Sequence, residues 1–125
     1  MSKVNIKTYK KKLAVYTCVQ NHLSNIVTNG TITDEKVEMF KIDATEAASI
    51  FDDSIKSKIN EIYEKSLELS LAHAKIFQSD GSPVLPVDDM RSYDIEKETE
   101  LLEWCSEQFV ESLQFLENKL NIKIT

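Results

Sequence analysis

The chain has 125 residues, which is the size of one domain and is long enough to bury a hydrophobic core without disulfide bonds. It contains two glycines and two prolines, which are too few for the many tight turns of a β-rich fold. Its net charge of −6 argues against a nucleic-acid duplex as the main partner. We therefore predict an all-α protein, an antiparallel bundle of about four helices in which residues 1–125 form a single domain.

The N-terminal segment is basic although the rest of the chain is acidic. It contains five lysines and no acidic residue, namely Lys3, Lys7, Lys10, Lys11 and Lys12. We interpret them as a solvated first helical turn, and contact with an anion or a membrane surface is the alternative. The segment lacks the apolar core of a secretory signal, and no stretch of the chain has the length of a membrane span. We expect no membrane span and a cytoplasmic location.

The first predicted helix covers residues 5–28. Its apolar residues recur every three or four positions, which places them on one face. They are Ile6, Tyr9, Leu13, Tyr16, Val19, Leu23 and Ile26. Asn29 and Gly30 tolerate the left-handed conformation that closes helices, so we expect them to end it.

The second predicted helix covers residues 34–51. Thr33 is the expected N-cap, and Asp34 and Glu35 place negative charge in the first turn, where the helix dipole favours it. Its apolar face has small side chains in the middle and consists of Val37, Phe40, Ala44, Ala47, Ala48 and Phe51. Because Asp52 and Asp53 can cap a new helix directly afterwards, residues 34–77 form either one bent helix or two helices.

The third predicted helix covers residues 53–77 and has the longest uninterrupted helical pattern. Its face is formed by Ile55, Ile59, Ile62, Ser66, Leu69, His73 and Ile76, and Tyr63, Leu67, Leu71 and Phe77 widen it. A face of this width predicts contact with two neighbouring helices. We expect this helix and the last one to form the central pair of the bundle.

Residues 78–92 form the predicted loop, and the last helix is predicted at residues 93–120. The loop contains both prolines and four apolar residues that we expect to pack on the bundle, namely Val84, Leu85, Val87 and Met90. The helix face consists of Leu101, Leu102, Cys105, Phe109, Leu113, Leu116 and Leu120, broadened by Trp104, Val110 and Phe115. Residues 122–125 are expected to fray.

No catalytic or metal-binding motif is present in the sequence. A di-metal bundle requires Glu-x-x-His pairs, and neither His22 nor His73 has a glutamate three positions before it. Cys18 and Cys105 are isolated, as expected for small core residues in a reducing compartment, and the two glycines cannot form a phosphate loop. The sequence therefore predicts a protein that is not an enzyme and that has no cofactor and no metal ion.

Two polar features have both a structural and a functional interpretation. His73 lies on the predicted core face, where it is either a hydrogen-bonded core residue or a proton-transfer group. The glutamates of the third helix are interpreted as a solvated row that pairs with Lys58 and Lys65. In the functional interpretation, the glutamates of the third and the last helix together form an acidic face that binds a partner. The candidate residues of this face are Glu61, Glu64, Glu68, Glu96, Glu98 and Glu100.

The chain has more large side chains than a small bundle needs for its core, which predicts a contact with a second copy or another protein. The candidate interaction residues are Tyr9, Tyr16, Tyr63, Trp104 and Phe115. We expect a non-enzymatic interaction or regulatory module that forms a homodimer. A ligand carrier that uses His73 is a further hypothesis, and it predicts a polar cavity around the ring.

Four segments resemble a family of small bacterial and phage-borne helical proteins that has no established activity. They are YKKKLAVY at residues 9–16, FKIDATEAASIF at 40–51, IKSKINEIYEKSLEL at 55–69 and LLEWCSEQFVESLQFLENKL at 101–120. The resemblance implies the helical fold and a bacterial or phage origin. It also suggests an alternative function, a phage-type inhibitor of a bacterial defence system whose acidic face blocks a nucleic-acid-binding site. Many members carry a membrane helix before this domain, and Cys105 stands where they commonly have an aromatic residue.

Overall fold

A computed structural model describes residues 3–77 and 91–122 of the chain, with side chains from residues 7–77 and 93–122. The helices are α1 (Lys3–Asn29), α2 (Asp34–Ala47), α3 (Asp53–Ile76) and α4 (Arg91–Leu120). They pack against one another as a bundle, which confirms the predicted all-α class. The predicted packing of residues 84–90 and the fraying of 123–125 lie outside the described residues.

The helices form a ring in which α1 contacts α2, α2 contacts α3, α3 contacts α4, and α4 contacts α1. The α3–α4 contact is the most extensive, although in a ring no pair of helices is central as the sequence analysis expected. Hydrogen bonds between α2 and α3 define their relative direction, because Ser70 donates to Asp34 and Tyr63 donates to Glu38 at 2.9 Å. The end of α3 therefore lies beside the start of α2, so the two helices are antiparallel.

Local chemistry ends α1 and starts α2 as the sequence predicted. Gly30 has a φ of 71°, and its N–H donates to the carbonyl of Ile26 at 2.8 Å, which closes α1. The side chain of Thr33 then accepts a hydrogen bond from the N–H of Lys36 at 3.3 Å. The short link between these two caps turns the chain back on itself.

The prediction that α2 extends to residue 51 is wrong, because α2 ends at Ala47 and α3 is a separate helix. The carboxylate of Asp52 accepts hydrogen bonds from the Ile55 N–H at 3.2 Å and from the Ser54 hydroxyl at 2.5 Å. These bonds hold Asp52 in an extended conformation, which an uninterrupted helix would not allow. The open choice for residues 34–77 is therefore decided in favour of two helices.

The core contains most of the predicted apolar faces. Its largest fully buried side chains include Val15, Val19, Leu23, Ile26, Val37, Ile55, Ile62, Leu69, Leu116 and Leu120. Two residues predicted to widen the faces are instead exposed, namely Leu71 and Val110. Leu71 lies on the outer side of α3, where it lines a surface depression with Glu64 and Glu68, and Val110 lies on the same side of α4 as the exposed Glu103.

The end of α4 is more ordered than the sequence suggested. Asn121 has a φ of 55°, and the N–H of Ile122 donates to the carbonyl of Glu117 at 3.1 Å. This pattern is a Schellman closure, which commonly brings an apolar residue back onto the helix. Ile122 is accordingly buried in the core, so the prediction that it frays is wrong.

Candidate interaction surfaces

The five aromatic residues predicted to contact a partner lie in different environments. Tyr16 belongs to the core and exposes 6% of its surface, so it is not available to a partner. Tyr63, Trp104 and Phe115 are half-buried and pack against the core from α3 and α4. Tyr9 is exposed and precedes the first core residue of α1. Of the five residues only Tyr9 is exposed, so most of the exposed apolar surface is formed by other residues.

A groove of about 490 Å³ lies between α1 and α2 and is open to solvent. We call it the α1–α2 groove. The α1 wall carries no charge and consists of Ala14, Thr17, Cys18, Asn21, His22 and Asn25. The α2 wall is formed by Lys36, Met39, Phe40, Asp43 and Ala47, with Ile32 from the preceding link. Its volume is within the range of ordinary ligand sites, but its open shape is closer to a docking surface.

Two large apolar residues on α2 face solvent. Met39 is 53% exposed and lies on the wall of the α1–α2 groove, and Ile42 is 59% exposed. Sequence reasoning missed both residues, because it followed only the buried face of the helix. The signal was present in the sequence: both lie off that face, where a soluble helix usually has polar residues.

His22 is a buried part of the wall of the α1–α2 groove. It is 5% exposed, and its Nε2 lies 2.7 Å from the hydroxyl oxygen of Ser66 on α3. The Ser66 hydroxyl donates its own proton to the carbonyl of Ile62 at 2.6 Å. Ser66 must therefore accept the bond from His22, which places the imidazole proton on Nε2 and leaves Nδ1 as an acceptor.

Burial keeps the groups of this wall neutral. It lowers the pKa of His22 to about 4, and the ring stacks on Phe40 with centroids 3.9 Å apart. Burial, together with the nearby charge of Asp43, raises the pKa of the Cys18 thiol to about 11. A protonated thiol is a poor nucleophile, so these groups are better suited to packing and hydrogen bonding than to covalent chemistry at neutral pH.

The exposed face of α4 carries five glutamates in one line. They are Glu96, Glu100, Glu103, Glu107 and Glu111, which we call the α4 acidic stripe. Their spacing of three or four residues keeps them on one side of the helix over about 22 Å. Sequence reasoning had named only the first two, although the same spacing was visible for the others.

The predicted glutamate row of α3 is exposed and partly neutralised. Lys58 Nζ lies 3.1 Å from Glu61 and Lys65 Nζ lies 3.6 Å from Glu68, the pairs that the sequence predicted. Within the described part of the chain, no ion pair involves a member of the α4 acidic stripe. The stripe is therefore the stronger acidic feature of the surface.

His73 lies in the last turn of α3, beside the N-terminal part of α4. Its Nδ1 is 3.0 Å from Glu98, and its ring is tilted against Phe77 with centroids 4.9 Å apart. Glu98 therefore points towards α3 and does not belong to the α4 acidic stripe. The hydroxyl of Ser66, two turns earlier on α3, is bonded to His22 instead. The inward-facing imidazole of this bundle is thus His22, whereas the sequence predicted His73 on the core face.

Among residues 3–77 and 91–122, no group of three or more histidine, cysteine, aspartate or glutamate side chains is arranged to hold a metal ion. None of the described helices combines the length and the apolar character needed to cross a membrane. Comparison with family models, curated proteins and solved structures finds no match to the chain. The resemblance to small bacterial and phage-borne proteins stays a prediction, and function has to be argued from the surfaces.

Proposed function

We propose that the protein is a non-enzymatic interaction module of the bacterial or host cytoplasm that forms a homodimer through the α1–α2 groove. The observation that supports this proposal is a stretch of α1 and the following link that has no charged residue and lies next to exposed apolar side chains. Residues 13–33 contain no charged residue, although 29% of the chain is charged. Met39 is exposed beside this stretch on the groove wall, and Ile42 is exposed on the same helix outside the lining of the groove. Such a surface loses little hydration energy when a partner covers it.

The charged residues of the groove favour a second copy of the chain as the occupant. Lys36 and Asp43 both lie on the α2 wall, about two helical turns apart. When two identical faces meet about a two-fold axis, a residue at one end opposes the residue at the other end of its partner. Lys36 of each copy would then meet Asp43 of the other. The acidic surface outside the groove would repel the same surface of a second copy. In the proposed dimer this acidic surface lies away from the contact.

The mass of the protein in solution tests this proposal. Light scattering or sedimentation over a range of concentrations should give twice the chain mass of 14.3 kDa. The double variant Met39→Lys and Ile42→Lys should remain folded and become monomeric, because both side chains are exposed in a single chain. Val110→Lys is the matched control, since Val110 is 69% exposed on α4, and it should leave the dimer intact. A monomeric wild-type protein at every concentration would contradict the proposal.

A second candidate function is favoured by the α4 acidic stripe. Five exposed carboxylates in a line of about 22 Å offer a rigid row of negative charge to a basic groove. A phage-type inhibitor would use such a row to occupy the nucleic-acid-binding site of a defence protein. This function is compatible with the dimer, because α4 is not part of the α1–α2 groove.

A competition experiment tests the inhibitor function. A bacterial nucleic-acid-binding protein captured by the immobilised chain should be released by duplex DNA and by high salt. The triple variant Glu100→Gln, Glu103→Gln and Glu107→Gln should not capture it. The triple variant Glu35→Gln, Glu38→Gln and Glu46→Gln on α2 changes the net charge equally and is the control. Equal loss of capture in both variants would mean that net charge, and not the stripe, is responsible.

A further inference from the structure

A small pocket lies between the second half of α2 and the first half of α3. Its volume is about 180 Å³, and it is more enclosed than the α1–α2 groove. Ala48 and Ile59 line it and are themselves buried, so they form an apolar floor. We call it the α2–α3 pocket. It shares no lining residue with the α1–α2 groove, which makes it a separate feature of the surface.

Two lysines, one from each helix, line the α2–α3 pocket. They are Lys41 and Lys56, and no acidic residue is among the lining residues. In the described part of the chain neither lysine forms an ion pair, whereas Lys58 and Lys65 on the outer side of α3 do. Two positive charges beside one cavity are unusual in a chain with a net charge of −6, and they favour an anionic ligand.

The ring of Tyr63 is the aromatic wall of the α2–α3 pocket. Its hydroxyl donates to Glu38 at 2.9 Å, which holds the ring in place. Lys41 Nζ lies 4.6 Å from the centre of the ring, a cation–π distance that keeps the ammonium group beside the cavity. The wall and the charge are therefore positioned relative to each other before any ligand binds.

We propose that the α2–α3 pocket binds a small organic carboxylate that carries one aromatic ring. The carboxylate would lie between Lys41 and Lys56, where it accepts charge-assisted hydrogen bonds, and the ring would pack on Ile59 and Tyr63. An apolar cavity of about 150 Å³ accommodates benzene, so a single ring suits this volume. The proposal does not depend on the homodimer or on the α4 acidic stripe.

Titration of the full chain with benzoate, followed by two-dimensional NMR of the backbone amides, tests the ligand class. Saturable shifts should concentrate at Thr45, Ala48 and Asn60, which lie in or beside the pocket. Benzyl alcohol has the same ring without the charge, and acetate has the charge without the ring. Each should bind about tenfold more weakly than benzoate. Equal binding of benzyl alcohol, or benzoate shifts spread over the whole surface, would overturn the proposal.

Lysine variants test the two charged contacts. Lys41→Gln and Lys56→Gln should each weaken benzoate binding by about fivefold, because each removes one charged donor. Both lysines are exposed, so the fold should be retained. Lys75→Gln is the control, since Lys75 is exposed on the same helix as Lys56 but does not line the pocket. Equal weakening by Lys75→Gln would mean that benzoate responds only to net charge, and the proposed site would be rejected.

Discussion

The α1–α2 side and the α3–α4 side of this bundle have opposite surface chemistry. The first exposes the uncharged stretch of residues 13–33 and the apolar side chains of Met39 and Ile42, whereas the second exposes the α4 acidic stripe and the glutamates of α3. Both sides are built from antiparallel helices of the same kind. The difference teaches that helix packing determines only which residues are buried, and that the outward residues can be chosen almost independently.

Each side also contains one histidine, and burial gives the two rings different properties. His22 is enclosed, stacks on Phe40 and donates to Ser66. His73 is half-exposed and contacts a carboxylate, Glu98. Burial disfavours the charged form of His22 and holds this ring neutral.

The largest expected effect is a loss of stability in mild acid that depends on His22. Its pKa is about 4 in the folded protein against an ordinary value of 6.5, so the unfolded chain takes up the proton first. The free energy of unfolding should therefore fall by roughly 3 kcal/mol from this residue as the pH falls from about 6.5 to about 4. Urea unfolding of the wild type and of His22→Gln over this pH range measures the difference.

His73→Gln is the control for this pH experiment. It should keep most of the wild-type loss of stability in acid, because the ring of His22 remains in place. If His73→Gln removes the pH dependence and His22→Gln does not, the contrast between the two histidines is wrong.

The next largest effect is expected from Ser66→Ala. This change removes the only hydroxyl that accepts the His22 proton in the described structure, and it leaves the N–H buried without a partner. The free energy of unfolding should fall by about 2 kcal/mol. Ser57→Ala on the exposed side of α3 is the matched control and should change it by less than about 0.5 kcal/mol. Equal effects of the two changes would show that the buried hydrogen bond contributes nothing specific.

A smaller effect is expected from charge exchange in the α1–α2 groove. Lys36→Glu places two like charges together in the proposed dimer and should weaken it by about fivefold, and Asp43→Lys should do the same. The double variant restores opposite charges and should return the dissociation constant to within about twofold of the wild type. Sedimentation at several concentrations measures all four proteins. Additive weakening in the double variant would contradict the two-fold arrangement.

The smallest effect is expected at the other histidine. Glu98→Gln keeps the shape of the side chain and removes the charge beside His73, in a pair that is partly exposed to solvent. The free energy of unfolding at neutral pH should fall by less than about 1 kcal/mol. Urea unfolding measures this value, and a loss above about 2 kcal/mol would mean that the α3–α4 side depends on an internal charge pair.

Sequence reasoning predicted much of the fold and little of the candidate surfaces. The caps at Gly30 and Thr33 were predicted because each depends on hydrogen bonds within a few residues. The end of α2 was missed, since the competition between another helical turn and the cap at Asp52 is nearly balanced locally. The partner of His22 was also missed, because Ser66 lies 44 residues away on another helix.

The sequence by itself determined the helical class and most of the buried face of each helix, because these depend on the spacing of apolar residues within one helix. The tertiary structure decided that residues 34–77 form two helices, which imidazole faces inward and which apolar residues stay exposed. The physical reason is that periodicity defines the direction of a face but not the neighbour that covers it. Leu71 and Val110 were predicted to widen the apolar faces of α3 and α4, yet both are exposed on the outer sides of these helices.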